Sequence, residues 1–432
     1  VSRIIEKDIE LLNIMKCKGG LIVLMRYGIS VLILLGLLIY PEFALSKPSL
    51  KLGLEVLLAE RPELVRGKHI GLITNQTGVD SKLKSNISLF LEESGINLVA
   101  LFAPEHGIRG ERPAGEYVES YTDEETKLPV YSLYGKTRKP TKDMLKGIDL
   151  LIFDMQDVGV RHYTYISTMA LAMESAKENN IEFMVLDRPN PLGGLNVEGP
   201  VLDPAFSSFI GIYPIPNVYG MTAGELAGLF NREFKISAKL TVVPMKGWRR
   251  DMWFDQTGLM WVISSPNIPY FETSVLYPCT GPIGDTYLSV GVGTTKPFHF
   301  VGAPYINPSR LMDELSKRRL SGVLFRPAYF IPRYSKFQDE LCRGIEIFVT
   351  DRKVFKPVEV ALNILDIIHR LYPEEFNWGD KSGGKYVFDL SMGTDRVRKY
   401  IETGMSPQDI EKTMEKELKR FLEIRKRYLI YK

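Results

Sequence analysis

Between residues 69 and 190 the chain repeats one pattern: a short apolar run, a polar cluster, then a stretch with helical spacing. The runs are "KHIGLIT", "NLVALFAP", "DLLIFD" and "EFMVLD", and each is apolar throughout instead of alternating with polar residues. A strand that is apolar on both faces must be covered on both faces, which a parallel sheet between helix layers achieves. The covering helices are legible as "SKLKSNISLFLEESGI", with Leu83, Ile87, Leu89, Phe90 and Leu91 at approximately helical spacing, and "STMALAMESAKENN". The sequence therefore predicts an α/β domain with a mostly parallel sheet.

Beyond about residue 235 the pattern changes. "KLTVVPMKGW", "GLMWVISSPNIP", "SGVLFRPAYFIP" and "GIEIFVTD" read as short strands broken by proline and glycine, and helices return with "PVEVALNILDIIHRLYP". The last helix opens at "SPQDIEK", with Ser406 as N-cap and Pro407 in the first turn. Its stripe of Ile410, Met414, Leu418 and Phe421 makes the C-terminal tail part of the fold. A chain of 432 residues accommodates two domains. The expected division is an α/β domain over 48–270 and a smaller α+β domain over 271–432, joined near 265–275.

Ahead of them lies a leader, 1–46, with basic Lys16, Lys18 and Arg26, an apolar core from Tyr27 to Tyr40, and small residues Ala44 and Ser46. That is the layout of a secretory signal, and its core is shorter than the roughly 20 residues that span a bilayer. The working body is expected outside the cytoplasm, periplasmic or extracellular, touching a membrane only through an uncleaved leader. Cys17 falls in the leader; Cys279 and Cys342 either pair or remain buried thiols.

Several function classes drop out. Net charge is +3 and several of the positive residues precede residue 50, so the body is near neutral and nucleic acid is not an expected partner. The first strand-to-helix turn, "ITNQTGVD", lacks the glycines of a dinucleotide loop, and "GVGTTK" has its lysine after the threonines, unlike a P-loop. The histidines at 69, 106, 162, 299 and 369 show no metal-ligand spacing. There is no G-x-S-x-G elbow, and Cys279 follows a proline in what reads as an apolar loop. Neither a metal nor a cofactor is expected.

What remains is the polar rim. Ligands of open parallel sheets bind beyond the carboxyl ends of the strands. Those ends carry Asn75 and Gln76; Glu105, His106 and Arg109; Asp154, Gln156, Asp157 and Arg161; and Asp187, Arg188 and Asn190. Glu116 and Glu198 are loop carboxylates that face either the crevice or solvent. Tyr163, Tyr165, Tyr219 and Trp248 are candidate platforms for sugar rings. Carboxylates in a polar, aromatic cleft suit glycoside hydrolysis, where one carboxyl protonates the leaving oxygen and a second acts as base or nucleophile. The competing class is a non-catalytic envelope protein that binds glycans or muropeptides; an esterase or amidase lacks its nucleophile or metal motif.

The segments "GLITNQTG", "LFAPEHGIRG", "LPVYSLYG", "RKPT", "FDMQDVGVRHYTYISTM", "LDRPNPLGG", "VEGPVLD", "YGMTAGELA", "SPNIP", "ELCRGIEIFVTD" and "FLEIRKRYLIY" resemble, in order, the exo-β-N-acetylmuramidase family of peptidoglycan hydrolases, long described only as a domain of unknown function. The resemblance runs from about residue 52 to the end. It implies a Rossmann-like N-terminal domain, a smaller C-terminal one and a cleft between them that removes N-acetylmuramic acid from the non-reducing ends of peptidoglycan-derived saccharides, without metal or nucleotide. It matches Glu105 to the family's "PEHG" glutamate, the candidate acid, with His106 to orient it or bind a hydroxyl. It matches Asp157, Arg161, Tyr163, Tyr165, Asp187, Arg188, Asn190 and Asn267 to its other motifs, with Asp157 favoured as second carboxylate. Arg161 or Arg188, with Arg109 third, would hold the lactyl carboxylate of muramic acid. The chain departs from the pattern at Val290 and Val292, where relatives commonly carry a glutamate and an arginine.

Overall fold

The computed structural model describes residues 50–432 apart from Ala114 and Val118. The leader expected over 1–46 lies outside the described residues.

The strands β1 (His69–Thr74), β2 (Asn97–Ala103), β3 (Tyr121–Thr122), β4 (Pro129–Ser132), β5 (Leu150–Asp154), β6 (Glu182–Leu186) and β7 (Lys239–Val243) form one sheet of order β3-β4-β2-β1-β5-β6-β7. All pairings are parallel except β3 with β4. The chain leaves β1 toward β2 and later returns to β5 on the other side, so the topological switch point lies between β1 and β5. Helices α1 (Gly53–Glu60), α2 (Asn86–Glu92), α3 (Tyr165–Glu178) and α4 (Ala223–Glu233) belong to this layer. The fold is the α/β architecture that the apolar runs require.

Three local readings differ from the sequence expectation. Leu83 is not in α2: it has a left-handed backbone and is exposed, because Asp80 Oδ1 accepts from the Lys82 and Lys84 amides and Ser85 caps the helix one turn later. Leu91 also faces solvent, so the helix buries fewer apolar residues than its spacing implied. "KLTVV" is β7, parallel to β6, and not part of an irregular second region. "GLMWVISSPNIP" forms no strand; its carbonyls at Ile263 and Ser264 are taken by side chains, Gln76 Nε2 at 2.7 Å and Tyr165 Oη at 2.6 Å.

The C-terminal part begins with α5 (Phe271–Asp285), a helix that continues through Pro278 and Pro282. Cys279 therefore sits in a helix and not in a loop. Burial of Val275, Leu276, Cys279 and Ile283 on its inner side outweighs the prolines' local preference. Strands β8 (Phe300–Ala303), β9 (Val323–Phe330) and β10 (Cys342–Val349) make an antiparallel sheet of order β8-β10-β9. Helices α6 (Pro308–Arg318), α7 (Pro357–Leu371), α8 (Val387–Met392), α9 (Arg396–Glu402) and α10 (Pro407–Arg425) complete it. Ser406 caps α10 through its hydroxyl, and Ile410, Met414 and Phe421 are buried as the stripe predicts. Cys279 and Cys342 are both free, buried thiols.

The tail after α10 returns to the first sheet. Tyr431 Oη donates to Asp187 Oδ2 at 2.6 Å, the Ile430 amide donates to Glu225 Oε1 at 2.7 Å, and the Arg250 amide donates to the Lys432 carbonyl at 2.9 Å. Removing Tyr431 and Lys432 leaves a buried Asp187 oxygen with one donor fewer. That deletion is expected to cost about 2 kcal/mol of stability. Urea unfolding of the parent and the truncated chain checks it, and superimposable transitions would contradict it.

Candidate functional site

In the parallel ladder Thr74 lies beside Asp154, Ile73 beside Phe102, and Phe153 beside Val185. Strands β1, β2, β5 and β6 thus end at one level, and the polar residues that follow them gather on one rim. The rim divides into residues that hold the scaffold and residues that leave polar atoms unpaired.

The scaffold group is larger than the sequence suggested. Arg188 forms a buried ion pair with Asp154, Nε to Oδ1 at 2.6 Å and Nη2 to Oδ2 at 3.1 Å, and Asn86 Nδ2 completes the set at 2.8 Å. Arg161 is 1 % exposed and spends both terminal nitrogens inside the protein. Its Nη1 donates to the carbonyls of Pro200 (2.9 Å) and Ile215 (2.8 Å); its Nη2 donates to Asn217 Oδ1 (3.1 Å) and the Ser391 carbonyl (2.8 Å). Both arginines expected to hold a substrate carboxylate are therefore committed to the fold. Arg109 is half-exposed and bonded to Asp123 and Glu125, at the outer edge.

Asp187 accepts from Thr222 Oγ1 (2.7 Å), the Gly224 amide (2.8 Å) and Tyr431, which caps α4 and anchors the tail; burial pushes its pKa up to about 6. Asn190 bonds the Leu192 amide and the Met221 carbonyl. Glu116 pairs with Arg112 on the surface, and Glu198 accepts from the Glu359 amide. Trp248 packs with Leu52 and Tyr431 in a separate cluster, so it is core and not a sugar platform.

The second group surrounds Glu105 and Asp157. Glu105 Oε1 accepts from the Gly115 amide (3.0 Å) and Oε2 from Thr164 Oγ1 (2.7 Å). His106 has a left-handed backbone, and its Nδ1 bonds the Arg112 carbonyl at 2.8 Å, so it braces the loop that delivers Gly115. Asp157 Oδ2 accepts from Tyr219 Oη and from the Gly159 amide, the latter at 2.8 Å. Gly159 has φ +87°, and a Cβ there would meet Asn190 Oδ1 at 2.3 Å, so this turn requires glycine. Burial raises the Asp157 pKa to about 6, with the Tyr219, Gly159 and Val158 hydrogen bonds opposing it.

In this region several buried side-chain atoms find no partner among the described residues: Asp157 Oδ1, Asn75 Nδ2, Gln76 Oε1, both His162 nitrogens, Tyr163 Oη and Ser264 Oγ. Buried polar atoms are ordinarily paired, so a concentration of unpaired ones marks a place built for polar ligand groups. Burial keeps His162 neutral, its pKa lowered to about 3. Tyr163 packs edge-on against Tyr165 at 4.7 Å and Tyr277 at 6.0 Å, and burial followed by neighbouring charge raises all three phenols. Thr164, which bonds Glu105, stands between Tyr163 and Tyr165 in the chain, and both carboxyls add to the rise that burial gives the Tyr165 and Tyr277 phenols.

Beside Tyr277 opens a cavity of about 320 Å³, lined by His162, Asn267, Tyr277, Asp285, Val290, Val292 and Lys336 among others. The departure at Val290 and Val292 thus falls on the cavity wall, and Asn267 stands there too, accepting from Tyr334 Oη at 3.0 Å. His162, Thr164 and Tyr277 were not singled out in the sequence. The first two lie inside the segment "FDMQDVGVRHYTYISTM".

A Rossmann-like sheet whose rim carries Glu105 and Asp157 among phenols and amides is an arrangement that a hydrolase of the carboxylate type can use. Comparison with known proteins narrows this. Residues 70–272 match the family model described as exo-beta-N-acetylmuramidase NamZ, N-terminal, and residues 275–431 match its C-terminal counterpart. The chain belongs to the exo-β-N-acetylmuramidase family. It is 52% identical over 386 residues to the peptidoglycan beta-N-acetylmuramidase NamZ of Bacillus subtilis (strain 168), covering 89% of this chain and 92% of that one. Two crystal structures of DUF1343 family proteins from Bacteroides fragilis NCTC 9343 superpose on it. One has a TM-score of 0.83 at 42% identity and the other 0.71 at 31%, each covering 89% of this chain and 99% of its own.

Proposed function

We propose that this chain is an exo-acting β-N-acetylmuramidase that releases N-acetylmuramic acid from the non-reducing ends of peptidoglycan glycan fragments, working outside the cytoplasm. The observation that carries the reading is the pair of rim carboxyls, Glu105 held by Gly115 and Thr164 and Asp157 held by Tyr219 and Gly159, in a region with unpaired buried polar atoms. Family membership supplies the sugar, and the basic and apolar leader sequence supports export.

Glu105 gives its proton to the glycosidic oxygen as the bond to the anomeric carbon breaks, and the leaving sugar departs with that proton as an alcohol. Thr164 suits this role, since a hydroxyl can accept from a protonated carboxyl and donate to an ionised one. Gly115 fixes the other oxygen, and His106 holds the loop from which Gly115 comes. Asp157 supplies the opposing carboxylate, as base for the water that adds to the anomeric carbon or as the nucleophile that water then displaces; its Oδ2 is pinned by Tyr219 and Gly159, and its Oδ1 has no partner among the described residues.

The reading predicts a pH profile. Asp157 works ionised, and its pKa is about 6. Protonation below that value removes the active form, so kcat/KM should fall about tenfold per pH unit on the acid side. Assay of the full chain on a disaccharide with non-reducing N-acetylmuramic acid, across pH 4.5–8 (roughly the span around a carboxyl of this kind), tests both points. No release of muramic acid would overturn the function. Release that is fastest below pH 5 would overturn the role of Asp157.

A further inference from the structure

With Arg161, Arg188 and Arg109 bound to protein partners, the cation that recognises muramic acid must come from elsewhere. We propose that Arg138 binds the lactyl carboxylate that distinguishes N-acetylmuramic acid from N-acetylglucosamine. The inference rests on the proposed function and names the residue that sets its specificity.

Arg138 lies in "RKPT", between β4 and β5. Its guanidinium carbon stands 3.8 Å from the centroid of the Tyr134 ring and 4.2 Å from that of Phe209. The two rings clasp the cation and orient its plane. They attract the charge through their faces. Nη1 is buried, and no described residue accepts from it. A buried guanidinium donor with no acceptor is costly unless an anion completes it, and a planar carboxylate is the anion that matches its geometry.

The position also fits. Tyr134 stands beside Glu105, whose carboxylate, after burial, is what raises the phenol's pKa. One ring face away from the candidate acid is where a substituent of the same sugar would reach while its glycosidic oxygen meets Glu105. Phe209 is the chain neighbour of Ile210, which lines the cavity beside His162 and Tyr277.

The backbone around Arg138 is held rigidly. Thr137 Oγ1 donates to the Lys139 carbonyl (2.6 Å), Lys139 Nζ reaches Glu174 (3.1 Å) and Glu178 (2.7 Å) on α3, and Ser175 Oγ on the same helix donates to the Pro140 carbonyl (2.6 Å). Lys336, the cation that lines the cavity, is turned toward the carbonyls of Gly284 and Thr286.

The test compares the parent chain with Arg138→Met and Arg138→Lys on an aryl N-acetyl-β-muramide and on the same compound with its lactyl carboxylate converted to the amide. Arg138→Met should raise KM for the acid by about 10–100-fold, with kcat changed little. It should affect the amide much less than the acid, and Arg138→Lys should recover part of the loss. Equal changes on acid and amide, or no change on the acid, would overturn the assignment. Equilibrium binding of free N-acetylmuramic acid to the same three proteins makes the comparison without turnover. A parent chain that binds the sugar through Arg138 yet hydrolyses nothing would refute the proposed activity and leave the carboxylate site standing. Absence of any difference in that binding would refute the site.

Discussion

Glu105→Gln should slow release of muramic acid from a natural glycan end by about 10²–10⁴-fold, the usual contribution of a positioned general acid. The same variant should lose far less on an aryl muramide with an acidic phenol as leaving group, because such a phenolate departs without a proton. Asp157→Asn should be slow on both substrates, since the opposing carboxylate acts at the sugar and not at the leaving group. The contrast between substrates is the informative quantity: loss of folding would depress both equally. A Glu105→Gln protein that is equally impaired on natural and aryl substrates would take Glu105 out of the acid role. A fully active Asp157→Asn protein would take Asp157 out of the reaction.

Arg161→Met is expected to act on the fold and not on recognition. The guanidinium joins Pro200, Ile215 and Asn217 of the first part of the chain to Ser391 of the second. Burial alone lowers its pKa to about 9, a sign of how little water reaches it. Methionine fills part of the volume and leaves buried carbonyls without donors, at a cost of about 3–5 kcal/mol. Chemical denaturation should show that loss. The ratio of KM for muramide to that for its lactyl amide should stay at the parent value in the folded fraction. A selective loss of muramide binding in a stable Arg161→Met protein would restore Arg161 to the substrate site and count against Arg138.

Much of the architecture was legible because it rests on period and composition. Runs such as "DLLIFD" admit few solutions other than a strand covered on both faces, and the stripe from Ile410 to Phe421 admits few other than a packed helix. The misread elements are those where tertiary contacts override a local signal. Pro278 and Pro282 argue against a helix, yet α5 persists because its inner side is buried. "GLMWVISS" has strand composition, but its carbonyls bond to Gln76 and Tyr165 in place of a neighbouring strand.

The site divides along the same line. That Glu105, Asp157, Asp187 and Arg188 would share a rim followed from where the apolar runs stop, because parallel strands in register must end together. Which of them keep an atom free was decided only in three dimensions. Arg188 and Arg161 carry the charge that a muramic acid carboxylate needs, and sequence spacing gave no sign that Asp154 and four oxygens elsewhere in the chain already occupy them. Arg138 lies in a loop with no distinguishing period, and its clasp needs Phe209, more than seventy residues away. The order of apolar and polar residues by itself determined the sheet, its direction and the rim where chemistry gathers, because those follow from burying apolar surface with every backbone group paired. The partners of each polar side chain came only with the tertiary structure, since a hydrogen bond depends on distances that residues far apart in sequence acquire when the chain has packed.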